Sequence, residues 1–401
     1  MGEFIDKVPL SGIIRVRELM FSVKDPYRLD QGDVSFDAPD TFKQGIVQAI
    51  EDNHTHYMIT AGAPRLRELC AQRIQTRHKV PVRGADDILV TNGGLHGLYL
   101  LTQCLLEPGD EVIINDPTWP PFLALVLLAR ATPVVCPLHE ELGWRYDIDE
   151  LRSKITPKTK LIYLNSPQNP TGGVLPREDL EQIAAIAREH DVKIISDEAY
   201  EDYVFDGAEH VSIASLPDMY ERTFPVYTFS KSFAVTGLRL GYVAVKDDKL
   251  RSRMMKMCFY TTSNVSSAIQ YGGIAALEGD TSCVDRFVAE CKARRDIFFK
   301  GVAEAAPGVF SGEPPKGGMF AFLKIGPEFK APAGESVSWA MTEHLIKKAR
   351  IGNVPGVDFS PTVPSPRGEG YIRFCFARER PELIGALREM AALFGGKPPA
   401  V

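Results

Sequence analysis

Between residues 86 and 246 the chain alternates short apolar runs with stretches of helical period, and that alternation narrows the fold more than any other feature. The runs are DILVT (87–91), EVIIND (111–116), TPVVCP (132–137), KLIYLN (160–165), KIISD (193–197), FPVYTF (224–229) and LGYVAV (240–245). Most are apolar almost without interruption, so both faces of each strand must be covered. The stretch PREDLEQIAAIAREH (176–190) shows what covers them. It has Pro at its first turn, acids early, and Leu180, Ile183, Ala184 and Ala187 on one face. Strands alternating with such helices predict an α/β fold with a large, mostly parallel seven-stranded sheet flanked by helices.

After residue 247 the pattern changes. The spacing predicts helices over 247–257, 264–278 and 281–305, a strand pair near 309–311 and 318–325, a helix near 336–349, a strand at 370–376 and a last helix at 381–394. That order belongs to a smaller α+β domain. The expected division is a large ligand-binding domain over 41–290 and a small domain over 291–401, joined by the N-terminal segment 1–40. NVPGVDFSPTVPSPRGEG (353–370) reads as a long loop within the small domain.

Composition removes several classes of function. The 401 residues are 44% hydrophobic and 24% charged, enough for a large core without staples. A net charge of −6 and the lack of a long basic run argue against nucleic acid as a partner. The seven cysteines are scattered without a CxxC pair, which suits reduced thiols in a cytoplasmic protein better than a disulfide framework or a metal cluster. His54, His56, His78, His96 and His139 show no metal spacing, so no metal is expected. The N-terminus MGEFIDKVPLSG lacks an apolar signal core, and FLALVLLARA (122–131) is too short to span a bilayer; no membrane association is expected.

Open α/β sheets bind ligands beyond the carboxyl ends of their strands, so the polar residues at those ends can be collected. After the first run come Gly93, Gly94 and Leu95, opening a helix whose N–H groups could approach an anion; alone, such a pair is more often a plain turn. After the second comes Trp119, able to stack on a flat ring or simply to pack. After the fourth comes NSPQNPTG (165–172), with Asn169. After the fifth come Asp197, Glu198 and Tyr200, Glu198 pointing away from Asp197 because neighbouring strand residues alternate. After the sixth come Thr228, Ser230 and Lys231, with Arg239 close behind. A lysine amid apolar runs and hydroxyls is of the kind that forms imines with aldehydes, since burial disfavours its ammonium form. An anion cradle, a flat aromatic, a carboxylate, a phenol, an amide, a lysine and an arginine suit a phosphorylated aromatic aldehyde, pyridoxal 5′-phosphate. A nucleotide-binding dehydrogenase would instead show GxGxxG where this chain has TNGGL.

NSPQNPTG, SDEAY and SKSFAVTGLRLGY, in this order and spacing, resemble the class I/II aminotransferases, pyridoxal-phosphate enzymes of fold type I, with a likeness running from about Gly32 to Arg373. The resemblance implies an aminotransferase that moves an amino group between an L-amino acid and a 2-oxo acid by a ping-pong mechanism. Lys231 would be the Schiff-base lysine and proton shuttle, Asp197 the partner of the pyridine nitrogen, and Tyr200 with Asn169 the partners of the ring oxygen. Trp119 would stack on the ring. Gly94, Leu95, Thr228, Ser230 and Arg239 would hold the phosphate, and Tyr57 would reach the phosphate of a neighbouring subunit, implying a homodimer with shared active sites. Gly32, Asn169 and Arg373 would receive the substrate carboxylate. TTSNVSSAIQ (261–270) resembles a stretch bordering the partner's site. Related enzymes can carry lysine where this chain has Leu95; Ile13, Ile14, Phe320 and Phe359 could line a more apolar pocket, and His96 could face the substrate. The same scaffold also supports β-elimination lyases and cyclising enzymes.

Overall fold

A computed structural model describes residues 3–361 and 367–399. Three helices lead in: α1 (Gly12–Phe21), α2 (Asp40–Glu51) and α3 (Pro64–His78). The α/β region follows as β1 (Ile88–Thr91), α4 (Gly94–Leu105), β2 (Glu111–Asp116), α5 (Pro120–Leu128), β3 (Thr132–His139), β4 (Arg145–Tyr146), α6 (Ile148–Ser153), β5 (Thr159–Asn165), α7 (Arg177–Glu189), β6 (Lys193–Asp197), β7 (Thr223–Thr228), the single turn α8 (Phe229–Ser232) and β8 (Gly241–Ala244). The chain continues as α9 (Asp248–Thr262), α10 (Ser267–Glu278), α11 (Ser282–Ala305), β9 (Phe310–Ser311), β10 (Phe320–Ile325), α12 (Val337–Ala349), β11 (Val354–Pro355), β12 (Tyr371–Cys375) and α13 (Arg380–Phe394).

All seven apolar runs are strands, and the large sheet has one more, for eight, in the order β1-β8-β7-β6-β5-β2-β3-β4. The addition is β4, two residues antiparallel to the end of β3, too short to leave a period in the sequence. The pairings β7-β6, β6-β5, β5-β2 and β2-β3 are parallel. β8 runs back between β1 and β7, antiparallel to both. It therefore begins at the edge where the parallel strands end, and Arg239, just before it, shares that edge with Lys231, just after β7. The strand interiors are fully buried, as both-face coverage requires.

A second, antiparallel sheet, β11-β12-β10-β9, is covered by α11, α12 and α13. Its core runs through Phe298, Phe374 and Leu387 and continues into Tyr200 and Tyr203 beside the large sheet. Helix α1 packs Val16 and Met20 against Ile346 and Trp339 of α12. The predicted long loop is partly ordered, as β11 and a 3-10 turn at Gly356–Phe359. Residues 362–366 of that stretch lie outside the described residues. The turn is tied to the end of β2: the Thr118 N–H donates to Phe359 O at 2.7 Å and Ser360 Oγ donates to Asp116 Oδ1 at 2.7 Å. No helix among the described residues is long and apolar enough to cross a membrane.

Candidate active site

The carboxyl ends of β2, β5, β6 and β7 and the start of α4 surround a cavity of about 400 Å³, closed from the other side by Ile13, Gly32 and Arg373. Of the thirteen residues the sequence singles out for a site, twelve line it. The exception is Tyr57, which is 88% exposed. It lines a separate cavity of about 420 Å³ with His54, His56, Asn264, Ser266 and Ser267. The 261–270 stretch is thus brought to Tyr57 and not to Lys231.

Lys231 sits in α8, whose start is capped by Thr228: the Ser230 N–H donates to the Thr228 hydroxyl at 3.1 Å. Tyr203 Oη donates to the Lys231 carbonyl at 3.0 Å, and Lys231 Nζ donates to Gly32 O. Burial pulls the ammonium below its ordinary pKa, with Asp33 opposing. Arg239 adopts left-handed backbone (φ 57°) and donates from Nη1 to Thr236 O at 2.7 Å. Its guanidinium lies over Gly93, which at φ 77° needs glycine. Gly241 is constrained by close approach: a Cβ there would stand 2.8 Å from the Tyr227 carbonyl oxygen and 2.9 Å from Gly94 N.

Asp197 ends β6 with its carboxylate buried. Oδ2 accepts from Tyr163 Oη at 2.8 Å and Oδ1 accepts from the Ala199 N–H at 3.3 Å. Desolvation outweighs both bonds and pushes the acid up to about 6. One neighbour here, Tyr163, escaped the sequence reading, and another, Asn165, was collected there without a role. Tyr163, stacked on Phe122 with ring centroids 3.6 Å apart, looked like one more core aromatic in β5. Asn165 donates to Asp197 O at 3.1 Å and accepts from the Asn169 N–H at 2.9 Å, fixing the turn that presents Asn169. Asn169 Nδ2 lies 3.5 Å from Tyr200 Oη, and its Oδ1 accepts from Arg373 Nη1 at 3.1 Å. Burial raises the Tyr200 phenol above its ordinary value.

Arg373 is 2% exposed, and burial lowers its pKa to about 10. Its Nη2 donates to Asp30 O at 2.9 Å, while Nε, also buried, has no partner among the described residues. Phe320 and Phe359, expected to line an apolar pocket, instead stack against this guanidinium at 4.3 and 4.9 Å. Ile13 does line the cavity; Ile14 does not. His96 turns away from it. Its Nδ1 accepts from the Asn92 N–H at 3.1 Å, its Nε2 lies 3.1 Å from Thr261 Oγ1, and burial drops its pKa to about 4, so it is neutral.

Behind the cavity the same segment that carries Asp197 and Tyr200 faces a buried ion cluster. Glu198 accepts from Ser196 Oγ and Ser212 Oγ at 2.8 and 2.6 Å, and His210 Nε2 is 3.0 Å from it. Glu201 pairs with Arg73 at 3.0 Å and His78 at 2.9 Å. Asp202 pairs with Arg73 at 2.8 Å and Arg77 at 2.6 Å. Desolvation opposes ionisation of Glu201, but His78 and Arg73 win and bring it down to about 2.

Residues 24–389 match the family model described as aminotransferase class I and II. An aspartate aminotransferase of Pyrococcus abyssi is 34% identical, over 97% of this chain and 97% of that protein. An aromatic-amino-acid aminotransferase of Thermococcus litoralis is 33% identical over the same shares. Among solved structures, an aromatic aminotransferase from Pyrococcus horikoshii superposes with a TM-score of 0.85 at 34% identity, covering 95% of this chain and 98% of that one. A Thermus thermophilus aspartate aminotransferase with maleate gives 0.89 at 28% identity, covering 98% and 99%.

Proposed function

The chain belongs to the class I and II aminotransferases, enzymes that depend on pyridoxal phosphate, and on that footing we propose that it holds this cofactor in the cavity around Lys231 and moves an amino group between an L-amino acid and a 2-oxo acid in two alternating half-reactions. The single observation that carries the reading is one cavity in which Lys231 meets a buried, reluctant acid and a buried arginine with a free N–H.

The residues fit the cofactor. Asp197 has two hydrogen-bond donors, and its ionisation is penalised by burial; a cationic pyridine nitrogen beside it would restore the charge. The opening N–H groups of α4 at Gly94 and Leu95, the hydroxyls of Thr228 and Ser230, and Arg239 suit a phosphate dianion. Trp119 would lie against the ring, and Asn169 and Tyr200 against its phenolic oxygen. When bound, pyridoxal phosphate supplies an aldehyde that condenses with amines and a ring that accepts the electron pair left at the substrate Cα.

The chain's own residues do the rest. Burial favours the neutral amine of Lys231, the form that attacks an aldehyde and that can take a proton from Cα and return it. The carbonyl of Lys231 is tied to Tyr203, so the lysine backbone stays in place while its side chain moves. Arg373 offers its free Nε to the α-carboxylate in a site whose aromatic walls exclude water. Gly32 and Asn169 border the same place.

Tyr57 belongs to this proposal as a residue of a homodimer with shared active sites, supported by its exposure beside a polar hollow. So do the division into residues 41–290 and 291–401 with 1–40 joining the smaller part, and a cytoplasmic setting, which the seven unpaired thiols support.

The test is direct. Purified protein with the cofactor should be yellow, and borohydride should fix the cofactor to Lys231, read by mass spectrometry of the digest. In a separate, unreduced sample, amino acids should convert the cofactor to its aminated form with release of a 2-oxo acid. Steady release of pyruvate and ammonia would make the chain a β-elimination lyase instead.

A further inference from the structure

We infer that the substrates of this chain carry one carboxylate and an uncharged, apolar side chain, and that the site selects against a second carboxylate. The inference rests on the amino-transfer reading above and adds the substrate class to it. It follows from a count of cations. Among the described residues that line the cavity, the cations are Lys231, Arg239 and Arg373. Each is committed. Arg239 is held by Thr236 O against the backbone of Gly93, beside the phosphate cradle. Arg373 is clamped by Asn169 Oδ1, Asp30 O and two phenyl rings, and serves the α-carboxylate. Lys231 carries the amine chemistry. A substrate with an acidic side chain would bring one more anion than there are cations to meet it. An unpaired carboxylate taken out of water is paid for by nothing in the wall.

Cations nearby are elsewhere engaged. Arg15, on the helix that contributes Ile13, lies 4.0 Å over the Trp339 ring and pairs with Glu343 at 3.3 Å. Arg17, one turn beyond Ile13, is exposed and is not part of the lining. The hollow beside Tyr57, the surface proposed to meet a second copy, contains His54 and His56 but no lysine or arginine.

The wall that remains is largely apolar, and its polar members Asn165 and Thr236 are bonded to Asp197 O and Asp33 Oδ1. Ile13, Pro121 and the side chain of Leu95 line the cavity and are given no task by the cofactor or the α-carboxylate. Leu95 is 39% exposed, so an apolar surface beside the reacting centre stands uncovered in the free chain. An aliphatic or aromatic substrate side chain would cover it.

The test uses the cofactor-loaded enzyme in single-turnover half-reactions, following the cofactor absorbance with leucine, methionine, phenylalanine, aspartate and glutamate. The three neutral amino acids should react with apparent second-order constants about a hundredfold above the two acidic ones. Calorimetry with two unreactive acids supplies a readout apart from turnover: 3-phenylpropionate should bind at least about tenfold more tightly than succinate. Ile13→Lys should narrow the leucine-to-aspartate ratio by about tenfold or more. Aspartate or glutamate reacting as fast as the best neutral amino acid, or succinate binding more tightly, overturns the inference while amino transfer stands. Loss of such an acidic activity in Arg17→Ala would identify Arg17 as the uncounted cation. If no amino acid alters the cofactor band, amino transfer itself has failed, and the calorimetric preference alone decides what the cavity selects.

Discussion

The cavity and the ion cluster behind it hang on the same short segment, Asp197–Tyr203, yet treat charge in opposite ways. In the cluster every carboxylate has a basic partner within 3.0 Å, and Glu198 and Glu201 are held below the usual carboxylate range. In the cavity Asp197 is pushed up, Lys231 and Arg373 are pulled down, and Arg373 Nε has no partner among the described residues. Asp197, Arg373, Glu198 and Glu201 are all buried, so burial alone does not explain the contrast. What differs is whether the chain itself supplies the counter-charge. Paired buried charges hold the segment; under-paired ones await a ligand.

The sharpest way to break this comparison is to remove the central group on the cavity side. Lys231→Ala should lower turnover by about 10⁴-fold or more, while the denaturation midpoint stays put or rises, because a poorly solvated amine is lost. Steady-state assays and urea melts read the two arms separately. On the cluster side the expectation reverses. Glu201→Gln leaves Arg73 and His78 under-compensated and should cost about 3–5 kcal/mol in urea unfolding, with catalysis in the folded fraction much less affected. Asp197→Asn then sharpens the contrast in the cofactor-free protein. An acid whose pKa rises on folding weakens the fold once ionised: the cost is absent below about 3.8 and complete above about 6. The variant should therefore be more stable than the parent by up to about 3 kcal/mol at pH 8, with the difference vanishing as the pH falls below about 3.8. Arg373→Lys trades a planar fork for a point charge and should raise the KM for the amino acid about tenfold or more, leaving stability nearly unchanged. The smallest effect is at His78. Desolvation opposes its charge, but Glu201 raises its pKa above the ordinary 6.5, so its contribution is complete below that value and lost as pH rises through the folded one. His78→Gln should flatten that part of the stability–pH curve.

The sequence carried much of the large sheet, because strands buried on both faces announce themselves as unbroken apolar runs. It could not show that β8 runs backwards, since direction is a property of pairing and not of a run. β4 was too short to be seen. The 247–257 helix extends a turn further, to Thr262. Site residues at strand ends were legible because a polar group after an apolar run has few structural reasons to be there. Tyr163 was not, because a tyrosine inside such a run reads as packing. The ion cluster was invisible for another reason: Arg73 and Glu201 are 128 residues apart, and neither neighbourhood marks the other. Phe320 and Phe359 were assigned to substrate because they are large and apolar, whereas their faces are spent on a guanidinium.

The reversal of β8 has a consequence for how such a chain can diverge. Because one short connection, the turn α8 followed by a 3-10 turn at Thr236–Leu238, returns from Lys231 to Arg239, the two groups are spaced by a fixed number of peptide units and not by the breadth of the sheet. Adding or deleting a residue there would slide β8 by one position, exchange its two faces and throw Gly241 out of its narrow slot against Tyr227 and Gly94. The buried Phe233 and Val235 hold that connection to the core. Gain and loss of residues should fall instead on outer connections that lead into a helix, such as the one joining β10 to α12, where no strand pairing follows directly.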